Sequence, residues 1–274
     1  MFVENSFDTG EVSLNYAEGP DNGPPLVLFP GASRRWQSHM LLIMIPLSYR
    51  WHIYAVDNRG HGKSGRTPGK YSLADYTRDA VAFIDHLDEP AAIFGHSLGG
   101  MICPGAAVRA PDKVKAVILG DPPVTNRSAR AWLTQDLAID WNNGLIELTG
   151  SELSIWEIAE RLGDGPVTAG NLMYASTIKG LDPSMPKAIN RTDEFFERYD
   201  MDEMVKQVRC PVLLLQGNPE MFSAMTEEDV EYVKSNVSNM VHVCLDGVGH
   251  SLGLGNWREE QVVSAMYYFL ESIR

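Results

Sequence analysis

The sequence predicts an α/β fold in which helices cover both faces of a mostly parallel sheet and a helical segment is inserted near the middle of the chain. Three observations support this prediction. Short apolar runs recur, and most are bounded by Gly, Pro, Asp or Asn, as strands are. Helical patterns lie between many of these runs, an alternation typical of parallel sheets. Between Pro122 and about Val208 the alternation stops and no convincing strand pattern is found.

The elements follow one another in a consistent order. Helical patterns occupy residues 73–87, after the third apolar run, and residues 256–274 at the end of the chain. Each run is short enough for one strand and ends near a residue that breaks regular structure. The predicted strands are 12–16, 26–29, 52–56, 91–94, 114–119, 212–216 and 240–244.

The strand-free segment carries three of the six tryptophans and is broken at residues 163–166 and 182–186. Its helical periodicity predicts a layer of helices above the sheet. We therefore expect a core domain formed by residues 1–121 and 209–274, with residues 122–208 inserted as a helical cap, or lid.

Composition and charge narrow the possible partners. The 274 residues are 44% hydrophobic and 22% charged, which is typical of a folded soluble protein. The formal net charge of −13 disfavours binding to nucleic acid or to an anionic membrane. The N-terminus lacks the basic and apolar regions of a signal peptide, so a cytoplasmic location is expected. We expect a small-molecule substrate, no nucleic-acid or membrane partner, and a monomer or homodimer.

The three cysteines, Cys103, Cys210 and Cys244, are widely spaced and odd in number. They form no Cys-x-x-Cys pair and match no histidine spacing typical of metal sites. The sequence therefore predicts neither a disulfide framework nor a metal site, and buried reduced thiols are expected.

One pentapeptide indicates chemistry, because Ser97 stands between Gly95 and Gly99 directly after an apolar run. The spacing fits Gly-x-Ser-x-Gly, a strained strand-to-helix turn that projects its serine into a cleft. The glycines allow neighbouring backbone to approach closely. A helix that begins after Ser97 directs the positive end of its dipole to this point and favours negative charge there.

A second motif, DNRGHGKSG at residues 57–65, follows the predicted strand that ends at Val56. Together the two motifs resemble the α/β-hydrolase family, over nearly the whole chain and least over the insertion. The resemblance implies the α/β-hydrolase fold, with an eight-stranded, mostly parallel sheet flanked by helices and a helical cap. Asp57, Arg59 and His61 are expected to brace their loop rather than to catalyse.

A serine hydroxyl is a weak nucleophile at neutral pH, and it needs a general base oriented by an acid. His250, after the last predicted strand, stands where the family's base would stand. Family members usually supply the acid after the strand that follows the cap, where this chain has Glu220. A minority supply it one strand earlier, where Asp121 ends an apolar run. Asp121 is preferred because two prolines fix the chain as it leaves that strand.

The oxyanion that forms at an attacked carbonyl needs two preorganised N–H donors. The resemblance implies that one is the backbone amide of Leu98, directly after the nucleophile. The second would come from the loop after residues 26–29, where the family commonly has His-Gly-x. This chain has Pro30 in place of the histidine, which leaves the backbone amide of Ala32 as the expected donor.

The inserted segment is expected to select the substrate. Aromatic and methionine side chains form adaptable apolar walls, although the helices of a cap also use them to pack on the body. The candidates for an apolar pocket over Ser97 are Trp132, Trp141, Trp156, Met173, Tyr174 and Met185.

These features predict a serine hydrolase that cleaves a carboxylic ester or lactone of apolar character through an acyl-enzyme, as a carboxylesterase or lactonase does. A serine nucleophile argues against haloalkane dehalogenases and epoxide hydrolases, which use aspartate. Carbon–carbon bond hydrolases, amidases, thioesterases and perhydrolases share the triad and stay open, as does a non-catalytic ligand receptor of this fold. Side chains and water suffice for the chemistry, so no metal or organic cofactor is expected.

Overall fold

The computed structural model describes residues 1–255 and 258–274, apart from the side chains of residues 38 and 39. Within these residues, eight strands form one sheet in the order β1-β2-β4-β3-β5-β6-β7-β8. The pairs β1–β2 and β2–β4 are antiparallel, and all other neighbours are parallel. The strands are β1 (Val3–Asp8), β2 (Ser13–Glu18), β3 (Pro25–Phe29), β4 (His52–Val56), β5 (Ala91–His96), β6 (Val114–Gly120), β7 (Val212–Gln216) and β8 (Met240–Cys244).

Helices flank the sheet and fill the segment between β6 and β7, which confirms the predicted fold class. Among the described residues, none of these helices is long and apolar enough to cross a membrane. They are α1 (Trp36–His39), α2 (Leu41–Leu47), α3 (Leu73–His86), α4 (Leu98–Arg109), α5 (Asn126–Leu133), α6 (Asp136–Thr149), α7 (Ile155–Arg161), α8 (Ala169–Lys179), α9 (Ser184–Asn190), α10 (Thr192–Phe195), α11 (Met201–Gln207), α12 (Glu227–Asn236) and α13 (Glu260–Ser272).

The central strands are apolar throughout because both faces of the sheet are covered. In β3, Val27 and Phe29 belong to the core cluster that includes residues of α3 and α4. The alternate residues, Leu26 and Leu28, belong to the cluster that includes residues of α2 and α13 on the other face. Successive side chains of a strand point to opposite faces, so a strand between two helical layers must be apolar at every position.

Residues 122–208 contain the helices α5 to α11 and no strand. Four of these helices begin at a side-chain cap: Thr125, Ser154, Thr168 and Asp200 each accept a hydrogen bond from the backbone amide three residues later. The segment has a small core of its own between α6, α7 and α8. Other apolar residues of the segment, among them Phe195 and Tyr199, join the main core below.

Three local predictions need correction. The strand β1 was not predicted, because VENSFD is rich in polar residues and lies at the sheet edge, where it pairs only with β2. The last helix, predicted over 256–274, runs over Glu260–Ser272, and residues 256 and 257 lie outside the described residues. Cys103 is buried as predicted, but Cys210 is only partly buried and Cys244 is exposed.

Candidate active site

Ser97 occupies a tight turn between β5 and α4, with φ 51° and ψ −115°. Its immediate neighbours are buried, whereas Ser97 itself is partly exposed. A Cβ atom on Gly95 would lie 2.2 Å from the backbone carbonyl of Gly99, and one on Gly99 would lie 2.1 Å from the carbonyl oxygen of Phe29. Both positions therefore require glycine. The positive φ of Ser97 is a strained conformation that the packed strand and helix hold in place.

A chain of hydrogen bonds joins Ser97, His250 and Asp121. The Oγ atom of Ser97 lies 3.0 Å from Nε2 of His250, and Nδ1 of His250 lies 2.8 Å from Oδ2 of Asp121. His250 follows β8 and Asp121 directly follows β6, so the three residues meet at the carboxyl end of the parallel strands. A carboxylate only accepts, so Nδ1 carries the ring proton and Nε2 is left to accept from the serine hydroxyl.

Asp121 is fully buried, yet its carboxylate accepts hydrogen bonds from several neighbouring groups. The amides of Gly217 and Ala224 lie 2.9 and 2.8 Å from it, and the hydroxyl of Ser223 lies 2.5 Å away. Burial raises the pKa of this carboxyl, but hydrogen bonds from His250, Ser223 and the Ala224 amide outweigh burial and hold the pKa below its ordinary value. The site thus favours the ionised carboxylate beside His250.

The alternative acid, Glu220, lies in an exposed 3₁₀ turn at Pro219–Met221. Both ring nitrogens of His250 already have partners in Ser97 and Asp121. The loop that contains Glu220 nevertheless contributes to the site, because its backbone and a serine hydroxyl supply the donors that surround Asp121. The structure therefore brings Asp121, and not Glu220, to the imidazole.

The loop after β3 lies against the serine. A Cβ atom on Gly31 would lie 3.2 Å from Cβ of Ser97, so the Gly31 backbone is in close contact with this side chain. The next residue is Ala32, whose amide was expected to donate to an oxyanion. Among the described residues, neither this amide nor that of Leu98 is hydrogen-bonded to an acceptor. Both amides are therefore available to a ligand beside Ser97.

The motif at residues 57–65 holds this loop in place. His61 is buried, and its Nδ1 donates to the main-chain oxygen of Arg59 at 2.8 Å. Its Nε2 then accepts the backbone N–H of Ser33 at 3.2 Å. Burial lowers the pKa of His61 to about 4, which keeps the ring neutral, as this pair of bonds requires. Asp57 accepts the Trp36 amide at 2.9 Å, so the motif braces the loop as predicted.

His96, which was not among the predicted site residues, is buried beside His250. Its Nε2 donates to the main-chain oxygen of His250 at 2.6 Å, and the two rings lie 5.1 Å apart. Burial and the neighbouring His250 lower the pKa of His96 to about 3, so the ring is neutral. No local sequence signal reveals this contact, because its partner is 154 residues away in the chain.

Aromatic side chains from residues 122–208 and from the loop after β7 lie beside the site. The Trp132 ring is 4.9 Å from the His250 ring and 4.5 Å from the Phe222 ring, which the sequence analysis did not propose. Tyr174 bonds through its hydroxyl to the Ser33 hydroxyl at 3.0 Å and stacks on Trp141 at 5.6 Å. These rings give the site an aromatic wall.

The other predicted pocket residues have different surroundings. Trp156 is exposed, and its indole N–H donates to Glu160 of its own helix at 2.9 Å. Met185 is fully buried in the core cluster on the α3 and α4 face and presents no surface to a ligand. Met185 therefore does not line a pocket, whereas pocket lining by Trp156 stays a prediction. Met173 is partly buried on α8, and no contact with the triad is described for it.

A separate cleft of about 410 Å³ lies elsewhere, lined by Glu11, Arg78, Arg191 and other mainly polar residues. None of the triad residues lines it, and its charged walls differ from the aromatic wall near Ser97. The described residues include no group of three or more His, Cys, Asp or Glu side chains that could hold a metal ion.

Two known proteins are similar in sequence to this chain. The chain is 23% identical over 212 residues to 3-oxoadipate enol-lactonase 2 of Acinetobacter baylyi, which covers 76% of each chain. It is 36% identical over 121 residues to 2-(acetamidomethylene)succinate hydrolase of Mesorhizobium japonicum, which covers 44% of this chain and 43% of the relative.

The fold is also similar to that of solved structures. Superposition on E-2-(acetamidomethylene)succinate hydrolase gives a TM-score of 0.77 at 24% identity, covering 99% of this chain and 100% of the other. The model of the family described as "Alpha/beta hydrolase family" matches residues 26–265, from β3 into α13, and so includes Ser97, Asp121 and His250. The chain belongs to the alpha/beta hydrolase family.

Proposed function

We propose that this protein is a serine hydrolase that cleaves a carboxylic ester or lactone through an acyl-enzyme. The single observation that carries the proposal is the hydrogen-bonded chain from Ser97 through His250 to Asp121, with separations of 3.0 and 2.8 Å. This order of nucleophile, base and buried carboxylate is the arrangement that activates a hydroxyl for acyl transfer.

In the first half of the reaction, the Ser97 oxygen attacks the ester carbonyl while its proton passes to Nε2 of His250. Asp121 holds the Nδ1 proton in place and stabilises the imidazolium that forms. The amides of Ala32 and Leu98 donate to the oxyanion. When the intermediate collapses, the carbon–oxygen bond breaks and the leaving alkoxide takes the proton from His250, which leaves the acyl group on Ser97.

In the second half, water attacks the acyl group and gives a proton to His250. The second tetrahedral intermediate collapses, the acid is released, and the proton returns to the Ser97 oxygen. With a lactone, the alcohol and the acid are parts of one molecule, so the same two steps open the ring. Side chains, backbone amides and water account for every proton in this scheme.

Two further observations support an ester or lactone as the substrate. The rings of Trp132 and Phe222 beside His250 provide an apolar surface for the carbon skeleton of a ligand. One relative similar over most of its length is named an enol-lactonase. Amide, thioester and carbon–carbon bond cleavage need the same nucleophile and base, so the test must include those substrates.

The test is a panel of esters, lactones, amides and β-diketones, assayed with the wild-type protein and with Ser97→Ala. Ser6→Ala, which removes a hydroxyl from the edge strand β1, is the matched control. We expect turnover of esters or lactones by the wild type and the control. Ser97→Ala should keep only the catalysis that the backbone donors and binding provide, about 10³-fold above water.

A serine-directed fluorophosphonate gives an independent measurement. It should form an adduct on the wild type and on Ser6→Ala but not on Ser97→Ala, as read by intact mass. Unchanged turnover in a folded Ser97→Ala protein would overturn the proposal. Ligand binding without turnover of any class in the panel would instead support a receptor of this fold.

A further inference from the structure

Arg34 lies in the same turn as the proposed oxyanion donor Ala32. Its backbone amide donates to the Gly31 carbonyl at 3.2 Å, which closes a four-residue turn. The ends of such a turn lie within about 7 Å of each other. A Cβ atom added to Gly31 would lie 3.2 Å from Cβ of Ser97, so the turn that includes Arg34 begins close to the proposed nucleophile.

The Arg34 guanidinium is held over an aromatic ring. Its central carbon lies 4.2 Å from the centre of the Tyr174 ring. Tyr174 is itself fixed, because its hydroxyl is bonded to Ser33 and its ring stacks on Trp141. A guanidinium placed over an aromatic ring can still donate hydrogen bonds through its N–H groups, which lie in the plane of the guanidinium.

Arg34 has no acidic partner among the residues that the structure describes, although the chain has 36 Asp and Glu residues. Its neighbour Arg35 has other interactions. The Arg35 guanidinium donates to Ser176 at 2.7 Å. Its charge also acts on Asp57, where burial raises the pKa and the Arg35 charge lowers it. The Arg34 charge instead reaches the active site, where it adds to burial and His250 in lowering the pKa of His96.

The Tyr174 ring compensates only part of the hydration that the partly buried Arg34 guanidinium has lost, and none of the described carboxylates pairs with it. An anion that entered the site would restore that compensation. We propose that Arg34 binds a carboxylate group of the substrate, so that the hydrolysed ester or lactone is an anion whose carboxylate lies beside the scissile carbonyl. This inference rests on the proposed role of Ser97, and it refines the expected apolar substrate to one with an apolar chain and a charged end.

The chemistry of the two groups fits. A guanidinium presents paired N–H donors that match the two oxygens of a carboxylate, and a charge-assisted pair of this kind is stronger than a neutral hydrogen bond. With a net charge of −13, the protein as a whole repels anions, so an anionic substrate needs a local cation at the site.

The experiment compares methyl hemiesters of succinate, glutarate and adipate with the corresponding neutral dimethyl esters. Turnover is followed by pH-stat for the wild type, Arg34→Gln, Arg34→Lys and Arg161→Gln. Arg161 is the matched control, because it is an exposed cap arginine on α7 whose loss removes the same charge. The readout is the ratio of kcat/KM for hemiester to diester.

We expect the wild type to prefer at least one hemiester. Arg34→Gln should lower the ratio about tenfold to a hundredfold, mainly through KM, as expected for the loss of a charge-assisted pair. Arg34→Lys should retain part of the preference, since it keeps the charge but loses the paired geometry. Arg161→Gln should leave the ratio unchanged. A wild-type protein that prefers the neutral diester throughout, or a ratio that Arg34→Gln does not alter, would overturn the inference.

Binding separates this inference from the proposed function. Calorimetry on Ser97→Ala, with and without Arg34→Gln, measures the affinity for hemiester and diester without turnover. If Arg34-dependent preference for the hemiester is found while the wild type hydrolyses neither ester, Arg34 binds a carboxylate and the hydrolase proposal fails. If hydrolysis occurs but no Arg34-dependent preference appears in either assay, the hydrolase proposal stands and the role of Arg34 is refuted.

Discussion

His96 donates a hydrogen bond from its Nε2 atom to the main-chain carbonyl of His250 across 2.6 Å. The residue before the proposed nucleophile thus holds the backbone of the proposed base. Because a rigid strand carries His96, this one bond ties the loop after β8 to the end of β5. A base that must lie within hydrogen-bond reach of Ser97 depends on that loop being held.

The first prediction concerns His96 as a positioning residue. His96→Leu removes the donor and should lower kcat about tenfold to a hundredfold with a smaller change in KM, because a displaced base affects the chemical step more than binding. His96→Gln retains an N–H donor at a similar reach and should restore most of kcat. His242→Gln, which alters a histidine of β8, is the control. Equal kcat values for the folded His96→Leu variant and the wild type would contradict this role.

The second prediction separates the two candidate acids. Asp121→Asn should lower kcat by about 10⁴-fold, because an amide beside Nδ1 favours the wrong tautomer of His250. Glu220→Gln should cost about tenfold or less, since Glu220 is exposed and both nitrogens of His250 have other partners. Saturating kinetics on both single variants and the double variant test this ranking. The reverse ranking would move the acid to Glu220.

The third prediction is that acid destabilises the fold through two buried histidines. Burial lowers the pKa of His61 to about 4, and burial with His250 lowers that of His96 to about 3, from 6.5. Below about pH 6.5 the unfolded chain therefore binds up to two more protons than the folded protein. As the pH is lowered, the free energy of unfolding decreases, by about 2 kcal/mol per pH unit near pH 5.5.

Urea unfolding between about pH 7 and pH 5.5, above the range of most carboxyl groups, measures this slope. His61→Gln, which removes one of the two titrating rings, should roughly halve it. Stability that is independent of pH over this interval would show that the two rings are protonated in the folded protein.

The fourth prediction concerns the turn at Ser97. Gly95→Ala should lower the free energy of unfolding by about 3 kcal/mol or more, because the added Cβ would lie 2.2 Å from the Gly99 backbone and no side-chain rotation can relieve the contact. Gly144→Ala is the matched control, since that exposed helical position has nothing within 4 Å of the added atom. It should be neutral or stabilising by up to about 1 kcal/mol. Equal stability of the two variants would mean that the turn is looser than described.

The features predicted correctly from the sequence are those that depend on residues close together in the chain. The buried strands and the serine turn are encoded by consecutive residues, so apolar runs and paired glycines predicted them nearly to their ends. The strand β1 was missed because its stability comes from pairing with β2, and its own residues are largely polar. The sequence left Asp121 and Glu220 as alternatives because the donors around Asp121 come from a loop about a hundred residues later.

The cap illustrates the limit of composition as a guide. Tryptophan and methionine indicate apolar surface, but they do not indicate which surface. Trp132 lies beside His250, Trp156 is exposed on α7, and Met185 lies in the main core. The same residue types thus occur beside the site, on the surface and in the core. The packing of the helices determines which of these surroundings each side chain has.

The central strand β5 is flanked by β3 on one side and β6 on the other, and this order has a consequence for folding. The loop with Ala32 comes from the first of these neighbours, Asp121 from the second, and His250 arrives from beyond β8, the far edge strand. A fragment of the chain that ends before residue 250 lacks His250, so on the proposed mechanism a nascent or truncated chain is without its base. Regain of the proposed activity during refolding should therefore report the slowest long-range pairing of the sheet and lag behind signals from local helices.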